Sequence, residues 1–319
     1  SYPAPTRVPS WVRYSTHPRS RPLQSRSRAF SRVQRPIHLG LLFLAAPLTL
    51  SAQNQRPFTT EDALRVRSVS VADVTDDARW IAATVSTAQS RMNTDHFRFG
   101  DPTYVGPSLV ELLVIDAETG SERALFEDRV QVSGLSWSPD GSQLAFLRRM
   151  GENTRLEIWD RSSGRISQIS PRPQREVAWG GALEWLPDGS GLVLGVRAEG
   201  WAQEARAADE AMEFGPIVVQ DSSEPFLSWD AVRNRGRLSE LALVNIPDGT
   251  LRILGPEAGY QEVRVGPDGS HLTYTTSTPL KTSYSRSAGT EFAYYKLDLA
   301  QGSEAVEVME KGEDRVRAT

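Results

Sequence analysis

The 319-residue chain contains no cysteine. That absence excludes a disulfide-stapled scaffold, cysteine-ligated zinc, iron–sulfur clusters and a thiol nucleophile together. It leaves the compartment open, because secreted proteins can do without disulfides. Histidine is scarce: His17, His38, His96 and His271 are the whole complement. No two have the i, i+4 spacing of a helical zinc pair, and none lies in His-Glu-x-x-His. A lone His271 on a strand just after a turn reads as a structural residue. Glycines four apart occur only at Gly191/Gly195 and Gly255/Gly259, around Val193 and Glu257. The strained Gly-x-Ser-x-Gly turn that presents a hydrolase serine is therefore missing. Walker loops and dinucleotide fingerprints are missing too. The expectation for this chain is no catalytic residue, no metal site and no cofactor.

Acidic residues are absent from the first 40 positions, which hold eight of the 36 basic residues, all arginine. Basic residues without acidic ones are the footprint of a phosphate-binding arm, but the adjoining apolar segment gives a more economical reading. Ile37 to Leu50 (IHLGLLFLAAPLTL) is uncharged and apolar, too short to span a membrane and of signal-peptide length, with small Ser51-Ala52 before Gln53. Residues 1–36 are thus a basic low-complexity leader outside the mature protein. Residues 37–52 are a signal h-region cleaved after Ala52, and 53–319 form the mature domain. No methionine precedes Met92, so translation is expected to start near Val33 from an alternative codon. The mature part is acidic, with no nucleic-acid partner and no membrane anchor after cleavage, and belongs in the periplasm or outside the cell.

What the chain has in abundance is turns. Trp137-Ser138-Pro139-Asp140-Gly141-Ser142 recurs as Trp185-Leu186-Pro187-Asp188-Gly189-Ser190 and as Val265-Gly266-Pro267-Asp268-Gly269-Ser270. Each copy is followed by an apolar strand: Leu144–Leu147, Leu192–Val196 and Leu272–Tyr274. Proline presets φ for the first corner, aspartate bonds the backbone beyond it, and glycine takes the φ > 0 position. A worn copy, Thr75-Asp76-Asp77-Ala78-Arg79-Trp80, has alanine in place of glycine.

Between these copies runs a second hairpin loop, Asx followed four residues later by glycine. It occurs at Asp116…Gly120, Asp160…Gly164, Asn245…Gly249 and Asp298…Gly302. The two motifs alternate strictly, which makes four antiparallel strands per repeat. Successive turn aspartates, Asp77, Asp140, Asp188 and Asp268, lie 63, 48 and 80 residues apart. The shortest period matches a four-stranded propeller blade, and the others carry insertions. The predicted fold is an all-β propeller of about four blades, incomplete, with a short helical insertion in the third.

Residues 87–108 interrupt the first blade and 198–238 the third; loops this long carry function or are disordered. Trp201–Glu213 is the one convincing helix of the sequence, with Trp201, Ala205, Ala208 and Met212 along one side. Its carboxylates Glu204, Asp209, Glu210 and Glu213 are candidate substrate-binding residues for an ammonium group. The competing reading is the solvated face of a packing helix.

The repeat Trp137–Phe146, the segment Arg56-Pro57-Phe58-Thr59-Thr60-Glu61-Asp62 soon after the signal, and Gly215-Pro216-Ile217-Val218-Val219-Gln220 resemble the propeller of secreted bacterial serine peptidases of the prolyl oligopeptidase family, in particular the dipeptidyl- and acylaminoacyl-peptidase branches. The resemblance covers about residues 53–319. It implies a propeller of seven or eight blades that admits short peptides to an α/β-hydrolase domain carrying Ser, Asp and His. That domain is the expected partner in the full-length parent. No catalytic residue is carried over, since the sequence ends at Thr319 after four blades, and the chain is read as a truncated product. The dipeptidyl branch grips the peptide N-terminus through a Glu pair on a propeller helix, and no Glu-Glu pair occurs in 198–238. The alternative is a non-enzymatic, TolB-like periplasmic propeller for protein–protein binding. Against it, such proteins carry a separate α/β domain before the propeller, and only about 20 residues separate Gln53 from the first worn turn. A glycan-processing propeller is a third reading, which sequence does not test.

Overall fold

The computed structural model describes residues 56–92, 95–98, 100–215, 228–280, 290–300 and 304–312. The leader, the h-region, the cleavage site, Gly302 and residues 216–220 lie outside the described residues.

Among the described residues, the strands form four antiparallel four-stranded meanders. The first blade comprises β1 (Arg67–Val74), β2 (Trp80–Thr87), β3 (Glu111–Asp116) and β4 (Glu122–Ala124), and the second β5 (Val132–Trp137), β6 (Gln143–Met150), β7 (Asn153–Asp160) and β8 (Ile166–Ile169). The third has β9 (Leu183–Trp185), β10 (Gly191–Val196), β11 (Ser239–Asn245) and β12 (Leu251–Ala258). The fourth has β13 (Tyr260–Val265), β14 (His271–Pro279), β15 (Thr290–Asp298) and β16 (Val306–Gly312). The first strands pack in succession, β1 on β5, β5 on β9 and β9 on β13, around a shared axis. Among the described residues β13 and β1 make no comparable contact, and β1 is exposed along almost its whole length where β5 is half-buried. The fold is an all-β, incomplete propeller.

Blade-to-blade packing explains the composition of the middle strands. Successive side chains point to opposite faces of a strand, and here both faces are covered. Leu144 and Phe146 of β6 join Ala82, Leu112 and Val114 of the first blade. Ala145 and Leu147 of the same strand join Leu192, Leu194 and Val244 of the third. Val193 and Leu241 face the fourth, against Leu272 and Leu297. A strand buried on both sides reads as an unbroken apolar run, which is why Gly191–Val196 is buried at every position. The tryptophans of the repeat each seal a junction to the preceding blade. Trp137 lies edge-on to Trp159 at 6.2 Å within the cluster shared with the first blade, and Trp185 donates its Nε1–H to Ser136 O at 3.0 Å.

The turn chemistry follows the sequence closely. Asp140 Oδ1 accepts from Ser142 N at 3.0 Å and from Ser138 Oγ at 2.6 Å, and Gly141 takes φ +65°. In the hairpin loops, Asp160 is held at about pKa 2 by the hydroxyl of Ser162 and by the N–H and hydroxyl of Ser163. Ala78 adopts φ 56° while Asp77 Oδ1 accepts from Arg79 N at 3.0 Å, so the worn copy keeps the geometry without its glycine.

Two corrections concern helices. Besides α2 (Trp201–Phe214), the chain forms α1 (Thr60–Arg65) and α3 (Ser228–Arg235). α1 is closed by a capping box in which Thr59 and Asp62 each bond the other's backbone N–H; the Thr-x-x-Asp signal was present in the sequence. The buried side of α2 is Trp201, Ala205 and Asp209. Ala208 and Met212, placed with Trp201 and Ala205 by spacing, are only half-buried.

Candidate functional site

In a four-stranded meander the first and third connections leave from one end and the second from the other. Both turn motifs of the sequence therefore share one face of the propeller. They touch there: the space beside Gly141 is bounded by Thr75 of the preceding blade, and that beside Gly269 by Pro187. The opposite face receives every second connection: 151–152 and the described residues of 88–110 and 197–238 among them. The regular, repeated elements and the irregular ones are thus segregated to opposite ends of the axis.

Arginines organise the irregular face. Arg98 pairs with Asp101 at 2.9 Å and lies over Tyr104 at 4.8 Å, while Asp101 also accepts from the N–H and hydroxyl of Thr103 at 2.7 and 2.6 Å. Arg149, at the end of β6, donates to Gly151 O, Thr154 Oγ1 and Thr103 O, tying the first insertion to the second blade. Arg206 of α2 reaches Glu152 at 3.3 Å. Arg197, at the end of β10, stacks on Trp201 at 3.8 Å. It also donates to Gly236 O at 3.0 Å and to Leu238 O, just past the C-terminus of α3, where the helix dipole favours a cation.

Between these side chains lies a cavity of 120 Å³ lined by Thr103, Arg149, Glu152, Glu176, Trp201 and Arg206. Burial lowers the pKa of Arg149, and that of Arg197 to about 10, with Glu176 opposing the shift in both cases. Both remain cations at neutral pH, and neither has a carboxylate within ion-pair distance among the described residues. The cavity therefore presents both signs of charge around one tryptophan.

The four carboxylates singled out from the sequence do not converge. Glu204 is ion-paired with Arg235 of α3, Glu210 and Glu213 are exposed, and Asp209 is turned inward. None of the four lines the 120 Å³ cavity. Among the described residues no group of three or more His, Asp or Glu could hold a metal. His271 lies with the regular turns, 3.6 Å from Asp268. The residues that sequence reasoning missed are Arg149, Glu152, Glu176 and Arg197. The available signal was charge at strand ends: Arg148-Arg149 closes an apolar strand, and Arg197 closes another.

Asp209 is 8% exposed, and its Oδ1 has no hydrogen-bond partner among the described residues. Burial, then the nearby Asp101 and Glu213, raise its pKa, while Arg98 opposes them. Ionisation thus costs the folded state more than the unfolded one, a penalty absent at pH values low enough to protonate both states and complete above the raised pKa. Asp209→Asn is expected to stabilise the protein by about 1 kcal/mol near neutral pH, with the gain shrinking as pH falls toward about 4. Urea unfolding of both proteins across that range checks it; a gain independent of pH would assign the effect to packing.

No protein-family model matches the chain. Coronin-7 of Bos taurus is 35% identical over 107 residues, which are 33% of this chain and 11% of that protein. Among solved structures, TolB from Acinetobacter baumannii aligns with TM-score 0.43 and 13% identity over 76% of this chain and 43% of that one. Acylaminoacyl peptidase of Pyrococcus horikoshii aligns with TM-score 0.44 and 11% identity, over 77% and 33%. The β-propeller domain of the Trilobed protease from Pyrococcus furiosus aligns with TM-score 0.42 and 14% identity, over 75% and 56%. The chain thus spans less than two thirds of each of these proteins.

Proposed function

We propose that this chain is the substrate-gating propeller of a secreted or periplasmic serine peptidase acting on short peptides, whose nucleophile, acid and base reside in an α/β-hydrolase domain of the longer protein. The carrying observation is the segregation of the two faces: the insertions collect at one end of the axis, and the featureless turns at the other. A cavity walled by inserted segments, with Arg149 and Arg206 beside Glu152 and Glu176, offers partners to both termini of a short peptide. The exposed inner strand β1 supports further blades in the parent, because a blade on each side half-buries such a strand, as it does β5. The sequence resemblance supplies the reaction class, and fold alone would not.

The test is serine-directed labelling. The full-length protein is expected to react with a fluorophosphonate and to hydrolyse short peptide substrates, while residues 53–319 alone do neither. Removal of 198–238 from the full-length protein is expected to admit longer peptides. A full-length protein that takes no label and cleaves nothing, yet binds other envelope proteins, would replace this reading with the non-enzymatic, TolB-like one.

A further inference from the structure

A second cavity, open to solvent on one side, lies on the other side of α2, between α2, α3 and the fourth blade, with a volume of about 480 Å³, within the size range of small-molecule sites. Ala208, Ala231, Val232, Leu238 and Pro279 make its apolar walls. The polar lining is concentrated where α3 ends: Asn234, Arg235 and Arg237. Gly259, between the third and fourth blades, and Ser277 of β14 also line it; the Ser277 hydroxyl accepts from Gln261 Nε2 at 2.7 Å and reaches Gly259 O at 3.5 Å, so it is already satisfied.

The charges do not cancel here. No Asp or Glu lines the cavity among the described residues. Arg235 spends Nη2 on the exposed Glu204, but its Nε–H is buried without a partner. Buried N–H groups of charged side chains are rarely left so. Arg237 is exposed and has no carboxylate within ion-pair distance among the described residues. With the Arg235–Glu204 pair neutral, the wall is left, among the described residues, with one uncompensated positive charge and one orphan donor beside an apolar space. The 120 Å³ cavity differs in kind, since two acids there balance two bases.

We infer that the 480 Å³ cavity is a binding site for a small apolar carboxylate, its hydrocarbon body against Ala231, Val232 and Pro279 and its head at Arg235 and Arg237. This chemistry has two sources, a free apolar acid or the C-terminus of a short peptide ending in an apolar residue. Neither depends on the peptidase reading.

Calorimetric titration of the full-length protein with octanoate, octanol and acetyl-Ala-Phe tests the site. Octanoate or the dipeptide is expected to bind with Kd of about 1 mM or tighter, and octanol about tenfold more weakly. The double variant Arg235→Met/Arg237→Met is expected to weaken the carboxylates about tenfold and octanol by less than about twofold. Ala231→Trp fills the space and is expected to abolish all three; Ala208→Phe, from the facing helix, serves if that variant does not fold by circular dichroism. Preference for octanoate identifies a free acid as the ligand and preference for the dipeptide a peptide terminus; either upholds the site. No saturable binding, equal affinity for octanoate and octanol, or carboxylate affinity unchanged in the double methionine variant would overturn it.

Discussion

Replacing Glu157 by leucine is expected to cost about 3 kcal/mol of folding stability, while the double replacement Arg148→Met/Glu157→Leu costs less than about 1 kcal/mol. Arg148 and Glu157 form a two-pronged ion pair, Nε to Oε2 and Nη2 to Oε1, both at 2.8 Å. The Glu157 side chain is 4% exposed and that of Arg148 19%. Glu157 stands opposite Phe146 in the β6–β7 register. The carboxylate therefore belongs to the packed face between the first and second blades. The guanidinium lies over the Phe126 ring at 4.9 Å, so its departure to solvent would also forfeit that contact.

Each ion alone is costly to bury, and their attraction offsets that cost only while both are present. Removing the acid strands a cation in an apolar junction. Removing both lets methionine and leucine fill similar volume with nothing left unpaired. Urea unfolding of the single and double variants, with slopes compared, measures the coupling. A double variant as unstable as Glu157→Leu would show that shape, rather than charge, governs this position.

Phe146→Ala is the second large effect, about 3–5 kcal/mol. Phe146 is fully buried and meets Phe126 edge-on at 6.0 Å, amid Leu112 and Val114 of the first blade and Trp159 of the second. The residue sits at a junction between repeats. In a repeat array stability is a sum of units and interfaces, so the loss falls unevenly. Hydrogen exchange is expected to accelerate in β2 and β3 before it does in β10 and β11. Uniform acceleration across all four blades would mean that the propeller unfolds as one unit, with no independent junctions.

Much of this architecture is legible in the order of residues because turn chemistry is local. Proline, aspartate and glycine act on their own dihedrals and nearest amides, so Asp140 with Gly141, or Asp160 with Gly164, announce a hairpin without reference to anything distant. The alternation of two such motifs then implies four strands per blade, and the strands do pair in that order. Even α1, passed over in the sequence, was written in Thr59 and Asp62.

The irregular face is another matter. Helical periodicity placed Ala208 and Met212 with Trp201, because both are apolar; what α2 packs against turned Asp209 inward instead. The four carboxylates of that helix looked like a cluster in one dimension, yet Glu204 pairs with Arg235, 31 residues away. Arg149, Glu176 and Arg197 come together across three separate segments; charge at a strand end marks two of them singly, but nothing local says that they share a site. Charges act through space, over distances that the chain brings together only after its blades have packed. The sequence by itself thus determined strands, turns and blade order, since those depend on near neighbours. Which arginines face which cavity, and which carboxylate is buried, was decided by tertiary packing alone.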